Sequence, residues 1–285
     1  MAGKWCLVTG ASRGIGRVTA VELARQGAHV ALVGRDRART EEAAEEARAV
    51  RGGGHIETFL ADLAEAAEVR ALAEAYARDH DGLDVLVNNA GAIFERRCTT
   101  REGFEKTFAL NHLAYHALTL RLMPLMTKQP AARVIVVASR AHTRVGLDLD
   151  DPMAERGYDG WRAYCASKLA NVLFTRELAR RLTGTAVTVN ALHPGLVATS
   201  FGHADAGWYR WLVKLGRPWM IDAPEGARTT LHLATSPELA GLSGMYWARC
   251  RPDTPSPAAR DPETARRLWA LSVRLTGLDW PSEEP

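Results

Sequence analysis

The chain has 285 residues, 47% of them apolar and 24% charged, the balance of a globular protein whose length suits a single α/β core. A formal net charge of +3, with arginines scattered through helices of mixed sign, argues against nucleic acid as a partner. The four cysteines, Cys6, Cys98, Cys165 and Cys250, lie far apart with no partner at metal-ligand spacing, so neither a disulfide framework nor a metal site is expected, and a reducing cytoplasm fits.

Met1 leads almost directly into a strand, without a charged segment and separate apolar core, so no signal peptide is expected. No apolar run reaches the roughly 18–20 residues that span a bilayer, so no membrane anchor is expected either. In chain order, 5–9, 29–34, 56–61, 83–88, 133–139, 186–192 and 244–248 read as strands. Several are apolar at consecutive positions, as in strands buried on both faces. Helical patterns fall between and after them, near 15–26, 37–51, 65–80, 100–127, 161–182, 224–235 and 262–275. This alternation implies right-handed βαβ crossovers and one doubly wound, seven-stranded parallel sheet in a single domain. Segments 140–160 and 197–223 look irregular, and the second carries Trp208, Trp211 and Trp219. Loops this long in a compact domain are usually functional, and 197–223 is expected to form a lid over an apolar pocket, although tryptophans that merely pack the loop would look the same.

The stretch TGASRGIG, 9–16, joins the first strand to the first helix. Gly10, Gly14 and Gly16 let the backbone turn sharply and approach a pyrophosphate, which rests on the N–H groups at a helix start. Ser12, Arg13 and Ile15 complete that turn, and the expected ligand is a dinucleotide. An NAD site usually places an acid after the second strand, whereas here the strand ends at Arg35. Arg13 and Arg35 favour a ribose 2′-phosphate, each through a charge-assisted hydrogen bond of about 1.5–3 kcal/mol. NADP(H) is therefore expected, with Asp36 as the rival ligand that would favour NAD.

The stretch RAYCASKLANVL, 162–173, places Tyr164 and Lys168 one helical turn apart on one face, which fits a surface pair as well as a proton donor with its tuning charge. The glycine turn, NNAG at 88–91, Tyr164 with Lys168, and HPG at 193–195 together resemble the short-chain dehydrogenase/reductase family over essentially the whole chain. NHL at 111–113, SRAH at 139–142, HPGLVATSF at 193–201 and the tail at 244–250 and 266–272 are similar to its retinol dehydrogenase-like branch. The resemblance implies that Tyr164 exchanges the carbonyl proton during hydride transfer. It implies that Lys168 binds the nicotinamide ribose and lowers the tyrosine pKa. A cation about 4 Å away at an effective dielectric near 20 is worth roughly 4 kcal/mol, or about three pKa units, which would bring a phenol toward neutrality.

By the same resemblance, Ser139 hydrogen-bonds the substrate oxygen and Asn111 holds a relay water. Ala138 stands where the family often has a second serine, a small departure. Asp62 and Leu63 match the adenine contact, with a helix N-cap as the other reading of Asp62. Asn89 and Gly91 match the adenosine side of the cleft, although Asn89 fits a turn-stabilising role equally. Pro194, Gly195, Val197 and Thr199 match the nicotinamide side. Cys165 reads as packing. The implied activity is alcohol–carbonyl interconversion on a hydrophobic small molecule. The alternative is a non-catalytic NADPH-binding regulator or scaffold, which loss of Tyr164, Lys168 or Ser139 would have favoured. The helices at 100–127 and 161–182 are common pairing faces in the family, so a homodimer or homotetramer is a possible assembly.

Overall fold

The computed structural model describes residues 1–196 and 221–280. The expected lid at 197–223, with Val197, Thr199 and its three tryptophans, lies outside them except for its last three residues. β1 (Trp5–Thr9), α1 (Gly14–Arg25), β2 (His29–Gly34), α2 (Arg37–Ala49), β3 (Ile56–Leu60), α3 (Ala66–Asp79) and β4 (Val85–Asn88) form the first half. The second half holds α4 (Ala114–Met126), β5 (Ala132–Val137), α5 (Gly160–Arg181), β6 (Val187–His193) and α6 (Ala223–Thr235). It continues with β7 (Tyr246–Ala248), β8 (Arg251–Asp253), α7 (Pro257–Arg260) and α8 (Pro262–Thr276).

The strands make one sheet in the order β3-β2-β1-β4-β5-β6-β7-β8. Strands β1 to β7 pair in parallel and β8 pairs antiparallel with β7. This is the doubly wound Rossmann-like domain expected, with one correction: an eighth, antiparallel edge strand. Pro252 within β8 is tolerated because an edge strand leaves one side of its ladder unpaired. Alternate side chains of each strand enter opposite layers. Cys6 and Val8 pack with α1, α2 and α6. Leu7 packs with α3, α4, α5 and α8.

The expected helix at 100–127 begins later and is interrupted. Glu105, 2% exposed, caps a first turn at Lys106–Phe108 by accepting from the N–H groups of Thr107 (2.8 Å) and Phe108 (2.7 Å). A π-helical turn at Ala109–Leu113 then runs into α4. α8 lies across α5 and this π turn. Trp269 stacks on Phe174 at 6.0 Å, and His112 Nε2 pairs with Ser272 Oγ at 2.9 Å. α8 thus covers one face of α5. Strand order reverses at β1, between β2 and β4, so the carboxyl ends of these strands open the crevice where open α/β sheets bind ligands.

Candidate active site

At the end of β1 the chain turns through Gly10 (φ +66) and Gly14 (φ +56), backbone conformations that glycine adopts without strain. Gly16 is demanded by contact: a Cβ there would stand 2.3 Å from Gly10 O and 2.6 Å from Asn89 Nδ2. The first turn of α1 therefore lies directly on the loop. Arg13, at the N-cap, makes no side-chain cap and no acid occupies the first turn, so the positive end of α1 is left for an anion. Ser12 and Ile15 sit beside this end, both half-buried.

The turn is tied to β4 by Thr9, which sequence reasoning missed. Its buried hydroxyl donates to Val87 O (3.1 Å) and accepts from the N–H groups of Asn89 (2.8 Å) and Ala90 (3.0 Å). Asn89 Nδ2 donates to Thr9 O at 2.8 Å. The Asn89 side chain thus braces the glycine turn, the second of its two readings. Leu63 is buried in the main core, so its side chain packs the fold.

At the end of β2 the basic residues gather. Desolvation lowers the Arg13 pKa, and the like charges of Arg39 and Arg35 lower it further, which places three guanidinium groups together. Arg39 comes from the first turn of α2, beyond the strand end where a ribose ligand is usually found. Arg35 Nη1 lies 3.5 Å from Asp62 Oδ2, a long contact, and Lys106 Nζ lies 3.9 Å from the same oxygen. Asp62 Oδ1 accepts from Ala64 N at 3.1 Å, so this carboxylate also braces its own turn. The rival acid Asp36 is engaged elsewhere: its Oδ1 accepts from Arg39 N at 3.0 Å and caps α2.

The ends of β4 and β5 face α5. Lys168, 3% exposed, donates from Nζ to Val137 O at 2.9 Å. The ammonium stands 5.8 Å from the Tyr164 ring centroid and 5.7 Å from that of Tyr115. Burial pulls the Lys168 pKa from 10.5 down to about 7. Tyr164 sits in a small apolar cluster with Ile93, Ala141 and Cys165, flanked by Val145. Burial pushes the Cys165 thiol up to about 11, which suits packing and not nucleophilic chemistry. Ser139 opens a short 3-10 turn, Arg140–Thr143, its Oγ accepting from Ala141 N at 3.2 Å. Gly91 keeps the floor open, since a Cβ there would meet Asn111 Oδ1 at 3.1 Å and Lys168 Nζ at 3.5 Å.

Asn111 lies in the π turn with its amide engaged by protein groups. Nδ2 donates to Ala92 O and Ser167 Oγ, both at 3.0 Å, and Oδ1 accepts from Ala92 N at 2.9 Å. Ser167 Oγ in turn donates to Tyr164 O at 2.8 Å. Both amide protons and one lone pair are used, so this side chain ties the β4 loop to α5 beside Tyr164 rather than presenting its donors to a water. Ser167 was a missed support, although it stands inside the motif that flagged Tyr164. At the end of β6, His193 Nδ1 accepts from Gly195 N at 3.0 Å, and Gly195, which follows Pro194, adopts φ +99. A Cβ on Gly195 would fall 2.6 Å from Ile221 Cδ1.

These residues fit a nicotinamide dinucleotide: an uncapped helix start behind two obligatory glycines, a basic cluster at one end, and a buried lysine over an open glycine floor at the other. The short chain dehydrogenase family model matches residues 4–209. The chain is 41% identical to human Retinol dehydrogenase 14 over 98% of its own length and 88% of that protein's. It is 42% identical to human Dehydrogenase/reductase SDR family member 13, over 100% of this chain and 76% of that one. Among solved structures, an uncharacterised protein from Mycobacterium paratuberculosis superposes with a TM-score of 0.80 at 36% identity, covering 98% of this chain and 96% of that one. The RhlG/NADP complex of Pseudomonas aeruginosa superposes at 0.69 with 28% identity, covering 86% and 94%. The chain belongs to the short-chain dehydrogenase family, as an alcohol–carbonyl oxidoreductase that uses a nicotinamide dinucleotide.

Proposed function

We propose that the chain is an NADP(H)-dependent oxidoreductase interconverting an alcohol and an aldehyde or ketone on a hydrophobic small molecule. The observation that carries this reading is the buried Tyr164–Lys168 pair, with Lys168 Nζ held 2.9 Å from Val137 O, two residues before Ser139. In reduction, the Tyr164 hydroxyl gives its proton to the carbonyl oxygen; in oxidation, the Tyr164 phenolate takes the proton from the alcohol. The Ser139 hydroxyl holds that oxygen in place. The Lys168 ammonium stabilises the phenolate left when the proton departs, and it would hold the ribose of a bound cofactor. A bound nicotinamide would supply or accept the hydride.

Support for the phosphorylated cofactor comes from Arg13, Arg35 and Arg39 gathering where Asp36 is engaged as a helix cap. Asp62 and Lys106 stand beside that end, and Pro194 and Gly195 beside the other. Support for an apolar substrate comes from Ile93, Ala141 and Val145 around Tyr164, and from relatives named as retinol dehydrogenases.

The test is NADPH oxidation measured beside NADH over a panel of hydrophobic aldehydes and ketones. Arg35→Asp should lower the preference for NADPH at least tenfold, about 1.4 kcal/mol. Wild-type enzyme using NADH as well as NADPH would refute the cofactor assignment. Tyr164→Phe deletes the transferable proton and should slow single-turnover hydride transfer by about 10²–10⁴-fold, with little change in NADPH affinity. Near-normal transfer in that variant would refute the mechanism.

A further inference from the structure

Beyond Ser139 the chain forms an open cavity of about 370 Å³ between the 3-10 turn Arg140–Thr143 and the β7–β8 hairpin. Its walls include Arg140, Arg144 and His142 on one side and Tyr246, Asp253 and Thr254 on the other. The walls are fastened to the catalytic strand. His142, 1% exposed, donates from Nδ1 to Ser139 O at 2.7 Å, while its Nε2 accepts from Ser256 N at 3.1 Å. That pairing fixes the neutral tautomer with the proton on Nδ1. Its ring meets Tyr246 edge-on at 4.9 Å. One imidazole thus pins the turn that starts at Ser139 to the segment following β8.

Among the described residues, the positive charge in this cavity outweighs the negative. Arg140 and Arg144 are exposed, and among the described residues neither makes an ion pair or a side-chain hydrogen bond. Elsewhere in the fold, Arg17 is held by Glu42 and Glu46, and Arg181 by Glu177 and Asp279. Asp253 is the one carboxylate in the lining, against two guanidinium groups. Arg140 makes its charge felt at His193, on the end of β6, and Arg144 at Cys165, next to Tyr164. A 3-10 turn rises about 2 Å per residue, so Arg144 lies within roughly 10 Å of Ser139 along the chain.

We propose that this cavity is a distal substrate subsite that receives a carboxylate, so that the preferred substrate is an amphipathic aldehyde or ketone of medium chain length. Its apolar part lies over Ile93, Ala141 and Val145, with the carbonyl at Tyr164 and Ser139, and its anionic end reaches Arg140 and Arg144. The inference rests on the oxidoreductase reading above. A guanidinium with no internal partner gains a charge-assisted hydrogen bond from a carboxylate without first breaking another, whereas a methyl ester offers only a neutral acceptor.

The experiment compares ω-oxo-octanoate with its methyl ester in NADPH-dependent turnover, using wild type, Arg144→Gln and the Arg140→Glu, Arg144→Glu double variant. Equilibrium titration with octanoate and methyl octanoate, which cannot react, runs beside it. Both arginines are exposed, so the variants should fold, and a thermal melt checks this. The expected result is at least a tenfold higher kcat/KM for the acid in wild type. Arg144→Gln should shrink that advantage, the double variant should abolish or reverse it, and octanoate affinity should fall in step. Equal kcat/KM for acid and ester in wild type would overturn the subsite while leaving the oxidoreductase reading intact, as would a preference that survives both variants. Octanoate binding that depends on the arginines without reduction of either compound would uphold the subsite and sink the reaction instead.

Discussion

Replacing Lys168 with methionine removes a buried ammonium from beside Tyr164 and leaves an apolar chain of similar length. The folded protein holds this lysine at a pKa of about 7 against 10.5 for a solvated one, and burial is the cause. That difference corresponds to about 5 kcal/mol spent at neutral pH to keep the group in place. Methionine avoids this cost but orphans the Val137 carbonyl, which now receives the 2.9 Å hydrogen bond, at about 1–3 kcal/mol. The apoprotein should therefore gain about 2–4 kcal/mol, visible as a melting temperature raised by several degrees, while hydride transfer collapses. The pH dependence fixes the cause. Between pH 7 and 10.5 the unfolded wild-type chain binds a proton at Lys168 that the folded chain lacks, so wild-type stability rises with pH across that window. The methionine variant lacks that rise, and its advantage should be greatest at pH 7 and shrink toward pH 10. Thermal unfolding of both apoproteins at pH 7, 8 and 9 measures it. A variant less stable than wild type at pH 7, or an advantage that grows with pH, would refute the reasoning.

Gly16→Ala places a methyl group 2.3 Å from Gly10 O, a backbone atom that can yield only if the turn moves, so dinucleotide affinity should drop at least tenfold in a binding titration while the fold persists. Unchanged affinity would mean that the turn does not hold the cofactor. Acid should loosen the packing of α8: burial holds His112 at a pKa of about 4 and His116 at about 3, both below the ordinary 6.5. Below pH 6.5 the unfolded chain takes up protons that the folded chain refuses, so each histidine costs stability as pH falls toward 4, at about 1.4 kcal/mol per pH unit. Urea midpoints at pH 7 and 5 should differ accordingly, and His116→Phe, which keeps a ring against Phe174 and Trp269, should remove one share of the slope; an unchanged slope would refute the assignment.

The doubly wound sheet was legible because buried parallel strands leave apolar runs, and β1 and β2 have the bounds that their sequences suggest. β8 was not legible. A two-residue hairpin normally announces itself with Asn-Gly or Asp-Gly, whereas here Arg249 (φ +52) and Cys250 (φ +59) take the left-handed positions and Pro252 argues against a strand. The π turn was equally silent, since no residue type in Ala109–Leu113 marks an added residue in a helical turn. At the site, motif residues were visible because they are chemically distinctive. What each side chain touches was not, because that depends on partners far along the chain: Asn89 on Thr9, and Lys168 on Val137. Asp36 and Asp62 show the ambiguity at its sharpest. A carboxylate after a strand can face a ribose or cap a helix, and the two outcomes share one sequence pattern.

The π turn explains how one segment serves both the site and the periphery. Widening the turn by one residue lets Asn111 and His112, adjacent in the chain, point to different neighbours. Asn111 reaches Ala92 and Ser167 and fixes the loop beside Tyr164, while His112 reaches Ser272 on α8. The last helix is thereby coupled to the segment that braces the reacting centre. Both polar contacts are buried, so neither can be broken without leaving donors or acceptors unsatisfied, a cost of about 1–3 kcal/mol for each orphaned group. The Lys168 ammonium follows the same logic closer to the chemistry. It is held in a place that penalises its charge by the α5 packing around it and one carbonyl of β5, so the stability of the surrounding helices maintains a group that would be more stable in water.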